Sequence, residues 1–297
     1  MSVMSEQFLG VLLAFAGAGF AGAVAILAKL GYQHVESNLA TALRTMVVLV
    51  CAWGMVAVTG SHTDLGAITG CSWLFLTLSG LCTGASWLCY FKALQLGDVN
   101  KVAPIDKSST VLTMLLAAPI LGEAITLQKG VCMALILAGT LLMITRRPGE
   151  AKTTNSRAWL WYAVGSAVFA ALTSILTKIG ITGVDSTLGT AIRTGVVLVM
   201  AWGMVFVTRS GSVTRKIRAI DGRSWLFLIL SGLCTGGSWL RQNRSLQLID
   251  ASLATPIDKL SILITIAFSW LVFGEKLHKK AAAGLALLVA GTLGLLL

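Results

Sequence analysis

Residues 43–60, LRTMVVLVCAWGMVAVTG, return at 192–209 as IRTGVVLVMAWGMVFVTR, identical at 13 of 18 positions. SGLCTGASWL at 79–88 returns at 231–240 as SGLCTGGSWL, identical at 9 of 10. Self-similarity at a near-constant offset means that one structural unit is used twice. The offset is 149 residues at the first pair and 152 at the second, so the second copy holds three extra residues between its second and third apolar runs. The two units are expected at 1–148 and 149–297.

The repeated segments are apolar for about 20 residues at a stretch, the length that spans a ~30 Å hydrocarbon core. Ten such runs are read, near 8–28, 39–59, 72–91, 99–121, 127–145, 158–177, 188–208, 224–240, 251–273 and 281–297. Charged residues make up 12% of the chain and hydrophobic ones 56%, against roughly 25% charged in a soluble domain. The expected fold class is an all-α membrane protein of ten transmembrane helices in two five-helix repeats. Five is odd, so the second copy must enter the bilayer from the opposite side, which makes the repeats inverted in topology. The first run has no basic segment ahead of it and has a counterpart mid-chain, so it reads as a retained helix rather than a cleaved signal.

The basic residues fall as this alternation requires. Of 23 Lys and Arg, 15 lie in the loops after runs 1, 3, 5, 7 and 9, and four (Lys129, Lys178, Arg241, Arg244) lie on the other face. The loop 60–70 has no Lys or Arg, whereas its counterpart 209–223 has five. The positive-inside rule then puts the first set in the cytoplasm and both termini outside, in a multi-pass plasma (inner) membrane protein. The net charge of +11 is read as a topology signal, and no nucleic-acid partner is expected.

The remaining four cations, Arg44, Arg193, Lys107 and Lys259, fall inside the runs as two repeat-related pairs. A cation at mid-helix costs ~2.5–3.5 kcal/mol on insertion scales, and such residues usually face a bundle interior or a wet cavity. For the arginines, each about a turn and a half inside its helix, snorkelling to the interface stands beside the cavity reading. The lysines belong to APIDKSST (103–110) and TPIDKLSI (255–262). A helix starting at Pro104 would put Lys107 in its first turn. A start at Asp98, with Asp250 its counterpart as N-cap, puts Asp106 and Lys107 ~12–14 Å along the helix. We take the second start. Pro104 and Pro256 then fall inside a helix, where each frees a carbonyl beside a hinge or a cavity wall. Adjacent residues point ~100° apart, so Asp106 and Asp258 are expected to pair with Arg44 or Arg193 on another helix rather than with the lysine next door.

Gly80 and Gly84, their copies Gly232 and Gly236, and AGAGFAGA at 16–23 read as close helix-packing surfaces. Trp87 and Trp239 follow the glycine pairs, and both packing and cavity lining fit them. CYFK at 89–92 becomes RQNR at 241–244, so Arg241 is either a cavity residue or part of an interfacial helix end. Glu123 and Glu275, each after a glycine, read as turn or interface residues. The six Cys and three His show no zinc spacing, and no Ser-His-Asp or Gly-x-Ser-x-Gly pattern occurs. No cofactor, metal or enzymatic activity is expected.

With an Arg early in the second run of each copy, LGE and FGE closing the fourth, and ALQLGD…APIDK matched by SLQLID…TPIDK, the chain resembles the EamA family of the drug/metabolite transporter superfamily over nearly its whole length. The resemblance implies a ten-helix carrier of small metabolites whose cavity is lined by helices 1–4 and 6–9, with helices 5 and 10 outside. Many ten-helix members keep both termini in the cytoplasm, and their fourth helix is usually apolar at the Asp-Lys position. The chain departs from both patterns.

The functional expectation is secondary transport by alternating access of a small amphipathic solute, such as an amino acid. Arg44, Arg193, Lys107, Lys259, Trp87, Trp239 and Arg241 are the candidate cavity residues, Asp106 and Asp258 the candidate proton or cation coupling sites, and Pro104 and Pro256 the candidate hinges. The alternatives are a flippase of an amphipathic lipid carrier and a passive channel. The expected partners are a small-molecule solute and the lipid bilayer, with the chain a monomer or a homodimer.

Overall fold

The computed structural model describes residues 3–31, 35–96, 102, 105–143, 158–208, 212–273 and 279–297. Among them, all regular structure is helical. In chain order the helices are α1 (Val3–Gly31), α2 (Ser37–Thr59), α3 (Gly70–Leu96), α4 (Ser109–Leu121), α5 (Leu127–Leu142), α6 (Ala158–Gly180), α7 (Ser186–Val207), α8 (Val213–Arg218), α9 (Gly222–Leu248), α10 (Ala251–Lys259), α11 (Ser261–Phe273) and α12 (Lys279–Gly294). A 3-10 turn, Ser61–Ala67, links α2 to α3.

Among the described residues, six stretches are long and apolar enough to cross a membrane: Ser5–Val24, Ser37–Thr59, Gly70–Tyr90, Ala158–Gly180, Ser186–Val207 and Ala251–Phe268. Leu127–Leu142 is a shorter apolar helix. Among the described residues, not every apolar run becomes a helix this long, for local reasons. The second half of α9 carries Arg241, Gln242, Asn243 and Arg244. Helices α5 and α12 have 16 residues each.

The helices pack across the repeats rather than within them. The most extensive contacts join α3 to α6, α1 to α9, α5 to α12 and α2 to α7. Glycines set the closest approaches. A Cβ on Gly80 would lie 2.7 Å from Val196 Cβ, and one on Gly232 would lie 2.6 Å from Val47 Cβ. Val47 and Val196 are themselves repeat mates, so the same contact is made twice. Gly84 and Gly236 repeat the pattern against Met200 and Cys51. The expected packing role of these glycines is what the structure shows, and small residues are what lets backbones come this near. Gly139 and Gly284 meet backbone to backbone where α5 crosses α12.

The two PIDK segments interrupt their helices. Helix α10 begins at Ala251, directly after Asp250, and ends at Lys259; Leu260 is a turn, and α11 takes up at Ser261. Asp258 and Lys259 thus stand ~12 Å along the helix. In the first copy residues 105–107 are helical, Ser108 is a turn and α4 begins at Ser109. Both turns close with an i→i−3 bond, Ser108 N–H to Ile105 O and Leu260 N–H to Ile257 O, the tighter 3-10 geometry. Pro256 lies inside α10, one turn before its break. Pro104, Asp98 and Glu275 lie outside the described residues. A lysine at the last residue of a helical segment meets the negative end of the helix dipole, which favours a cation there.

Contacts at the two ends of the bundle sort the loops. At one end Lys178 bonds to Glu123 and to the Ile249 carbonyl, and Lys129 pairs with Asp250 at 3.2 Å. A cavity of about 650 Å³ at this end is lined by Gln7 and Phe8 together with Leu295 and Leu296, from both ends of the chain. At the other end Lys216 pairs with Glu36, and Asn38 donates to Thr208.

Candidate functional site

Arg193 is the eighth residue of α7 and is 7% exposed. A guanidinium so placed must find acceptors inside the protein. Its Nε donates to Ser79 Oγ at 3.0 Å and an Nη donates to Thr83 Oγ1 at 2.9 Å, both on α3. Its Cζ stands 4.9 Å from the ring centroid of Trp239 on α9, within the ~6 Å range of a cation–π contact. Ser79 and Thr83 are one helical turn apart and are tied in turn to Thr177 and Thr173 on α6. The partners are all neutral, so the positive charge is held in place but not cancelled.

A cavity of about 200 Å³ opens beside this group. Its lining combines Arg193 and Trp239 with Gln242, Asn243, Asp258 and Lys259, and adds the hydroxyls of Thr173, Thr177, Ser238 and Thr255. Asn243 is 4% exposed and is fixed by donating to Thr190 Oγ1 at 2.7 Å. Gln242 donates to the Ala254 carbonyl at 3.3 Å. Its Oε1 and the hydroxyl of Thr255 are buried without a hydrogen-bond partner. Unpaired buried polar atoms are costly, and here two of them border one cavity.

The lining comes almost wholly from the second repeat, and repeat-related positions show why. Gln242 and Asn243 correspond to Tyr90 and Phe91, Thr255 to Ala103, and Thr173, Ser174 and Thr177 to Val24, Ala25 and Ala28. One fold carries a polar version of the site and an apolar one. Most of these polar residues escape a search for charged pairs. Comparing the two copies position by position, and marking where one is polar and the other apolar, would have found them.

The structure sorts the expected site residues. Arg193, Trp239, Asp258 and Lys259 meet at the polar cavity. Lys107 and Lys259, one from each PIDK motif, line a second cavity of about 360 Å³. The expectation that the aspartates pair with Arg44 or Arg193 is corrected. Asp106 Oδ1 accepts from Ser166 on α6 at 2.7 Å, and Asp258 pairs with its neighbour Lys259 at 3.7 Å. The four-carbon lysine stem is long and flexible enough to turn the ammonium back round the helix. Arg241 is not at the cavity. Its guanidinium lies 4.5 Å over the Phe20 ring and donates to the Gly237 carbonyl. Trp87 packs against the Val35, Leu39 and Val205 cluster. Arg44 does not reproduce the Arg193 arrangement: its Nε and the hydroxyl of Ser231, the repeat mates of Arg193 and Ser79, are both buried and unbonded.

Glu123 has a different role, consistent with its reading as an interface residue. It follows Gly122, whose φ of 70° ends α4 in a left-handed turn. Its carboxylate accepts from the N–H groups of Ala251 at 2.7 Å and Ser252 at 3.0 Å. It therefore caps the first turn of α10 from the other repeat. Burial opposes its charge, but the bonds from Ser252 and Ala251, together with Lys178, outweigh that and hold its pKa below the usual value.

Several long apolar helices, broken twice at charged motifs around interior cavities, define a multi-pass membrane protein. The sequence matches the EamA-like transporter family over residues 8–145 and again over 157–297, and the chain belongs to that family. A Sinorhizobium protein described as an "uncharacterized transporter in cobO 3'region" is 45% identical over 139 residues, covering 47% of this chain and 96% of that relative. That relative is about half as long, the length of one repeat. A solved crystal structure aligns over 99% of this chain and 98% of its own, with a TM-score of 0.77 and 17% identity, a likeness of fold alone. Family and relative both point to a membrane transporter.

Proposed function

We propose that the chain is a secondary transporter of a small amphipathic solute, working by alternating access between two inverted five-helix repeats. The polar cavity carries this reading. It lies inside the bundle and brings Arg193, Lys259 and Asp258 together beside Trp239. Such a set suits a zwitterion: Arg193 and Lys259 hold a carboxylate, Asp258 takes an amine or a coupling proton, and the indole covers an apolar body. Lys259 leaves Asp258 when a solute carboxylate takes its ammonium. Asp106, hydrogen-bonded to Ser166, is the matching coupling carboxylate in the other repeat.

Ten membrane crossings fit the end contacts. Glu123, Lys129, Lys178 and Asp250 meet at one end, as alternating crossings require, and Glu36, Asn38, Thr208 and Lys216 meet at the other. The first group belongs to the Lys/Arg-poor face, which the positive-inside rule assigns to the outside, with both termini. The protein then sits in the plasma (inner) membrane.

The test is counterflow into proteoliposomes preloaded with single unlabelled amino acids. Wild type should accumulate at least one labelled solute. Arg193→Gln should lower its uptake tenfold or more, since a charged hydrogen-bond partner is lost, and Asp258→Asn should remove any dependence on a pH gradient. Uptake undiminished in both variants sinks the assignment.

A further inference from the structure

The second cavity has a chemistry of its own. Among the described residues it shares only Ala21 and Lys259 with the polar cavity. Among the described residues, Lys107 and Lys259 are its charged lining and no carboxylate lines it. Thr110, Ser261 and Thr265 add hydroxyls, and Ile136, Ile262 and Leu288 form apolar walls. Lys259 has Asp258 at 3.7 Å. Lys107 has no hydrogen bond or ion pair with any described residue, and its side chain is open. The nearby carboxylates are already engaged, Asp106 by Ser166 and Asp258 by Lys259. Two ammonium groups from opposite repeats thus face one partly apolar space, and neither Asp106 nor Asp258 makes an ion pair with Lys107. Like charges so placed repel, and an anion between them reverses the sign of the interaction.

We propose that this cavity is a binding site for a small organic anion, with a carboxylate held between Lys107 and Lys259 and an aliphatic body against Ile136, Ile262 and Leu288. Charge-assisted bonds from two ammonium groups fix the head, and the walls select the tail. A volume of about 360 Å³ lies near the small end of ligand pockets and does not hold a two-chain phospholipid. The inference does not rest on transport through the Arg193 cavity.

The experiment uses the purified full-length protein in a non-ionic detergent. Its unfolding midpoint is followed against sodium hexanoate, uncharged hexanamide and phosphatidylglycerol, because a ligand of the folded state raises the midpoint saturably. Hexanoate should raise it and hexanamide should not. Lys107→Gln should be at least as stable as wild type without ligand, and should bind hexanoate tenfold or more weakly. Lys107→Arg should stay within a few-fold. Arg193→Gln should keep hexanoate binding even where transport is lost, so the two proposals fail separately. Equal responses to hexanoate and hexanamide, or an unchanged affinity in Lys107→Gln, overturn the site. A response to phosphatidylglycerol with none to hexanoate overturns the small-anion assignment and makes the cavity a lipid site. Should Lys107→Gln not fold, Lys107→Arg and the hexanamide comparison still decide.

Discussion

At the scale of single residues, charge inside the bundle is governed by what each cation can reach. Arg193 reaches two hydroxyls and an indole, whereas its mate Arg44 leaves an Nε buried and unbonded. Nothing in LRT against IRT separates them, because the difference lies in which rotamer finds partners on a helix far away in sequence. Glu123 makes the same point at the end of the bundle. Its pKa is held down in the fold, so its share of stability is present above the unfolded glutamate value and is lost as pH falls through the folded one. Thermal unfolding followed from neutral to acid pH should therefore show a loss in the acid range that Glu123→Gln lacks. The variant should also be less stable than wild type at neutral pH. An acid loss of the same size in wild type and variant would remove Glu123 from that role.

At the scale of elements, glycines and interruptions decide how helices meet. Gly139 has room for no side chain: a Cβ there would lie 2.5 Å from the Gly284 carbonyl oxygen and 2.6 Å from Leu288 N. Backbone cannot step aside as a side-chain tip can. Gly139→Ala should cost about 1–3 kcal/mol of stability by overpacking, measured by denaturant unfolding in detergent. Gly54→Ala, with nothing within 4 Å of the added Cβ, should be neutral or stabilising, since alanine suits a helix interior better by roughly 0.5–1 kcal/mol. If both variants behave alike, the crossing is not close-packed. The sequence shows the small-residue stripes plainly, because Gly-x-x-x-Gly needs only spacing. It also marks the PIDK segment as a hinge or cavity wall, through a proline beside two charges. It does not show that the break falls after the lysine, at Ser108 and Leu260. Both turns close with a local i→i−3 bond, and in the second copy Glu123 starts α10 from the other repeat.

At the scale of the whole molecule, the two repeats embrace one another, so the main contacts join helices far apart in the chain. A reporter fused to the C-terminus should read extracytoplasmic, and one in the 209–223 loop should read cytoplasmic. The reverse result would overturn the orientation drawn from the basic residues while leaving the pairing of helices intact. The duplication, the apolar runs and the segregation of Lys and Arg were all legible in the sequence, because each is set by local composition against a solvent of fixed thickness. So were the residues that carry charge into the bundle. Only the tertiary structure decided which of them meet: that Asp106 turns to Ser166, that Arg241 leaves the cavity for Phe20, and that one repeat carries the polar cavity while the two lysines share another. The reason is physical. A buried charge settles on whatever partner the packing brings within ~3–5 Å, and that packing is made between residues 60 to 221 positions apart, beyond the reach of any local pattern.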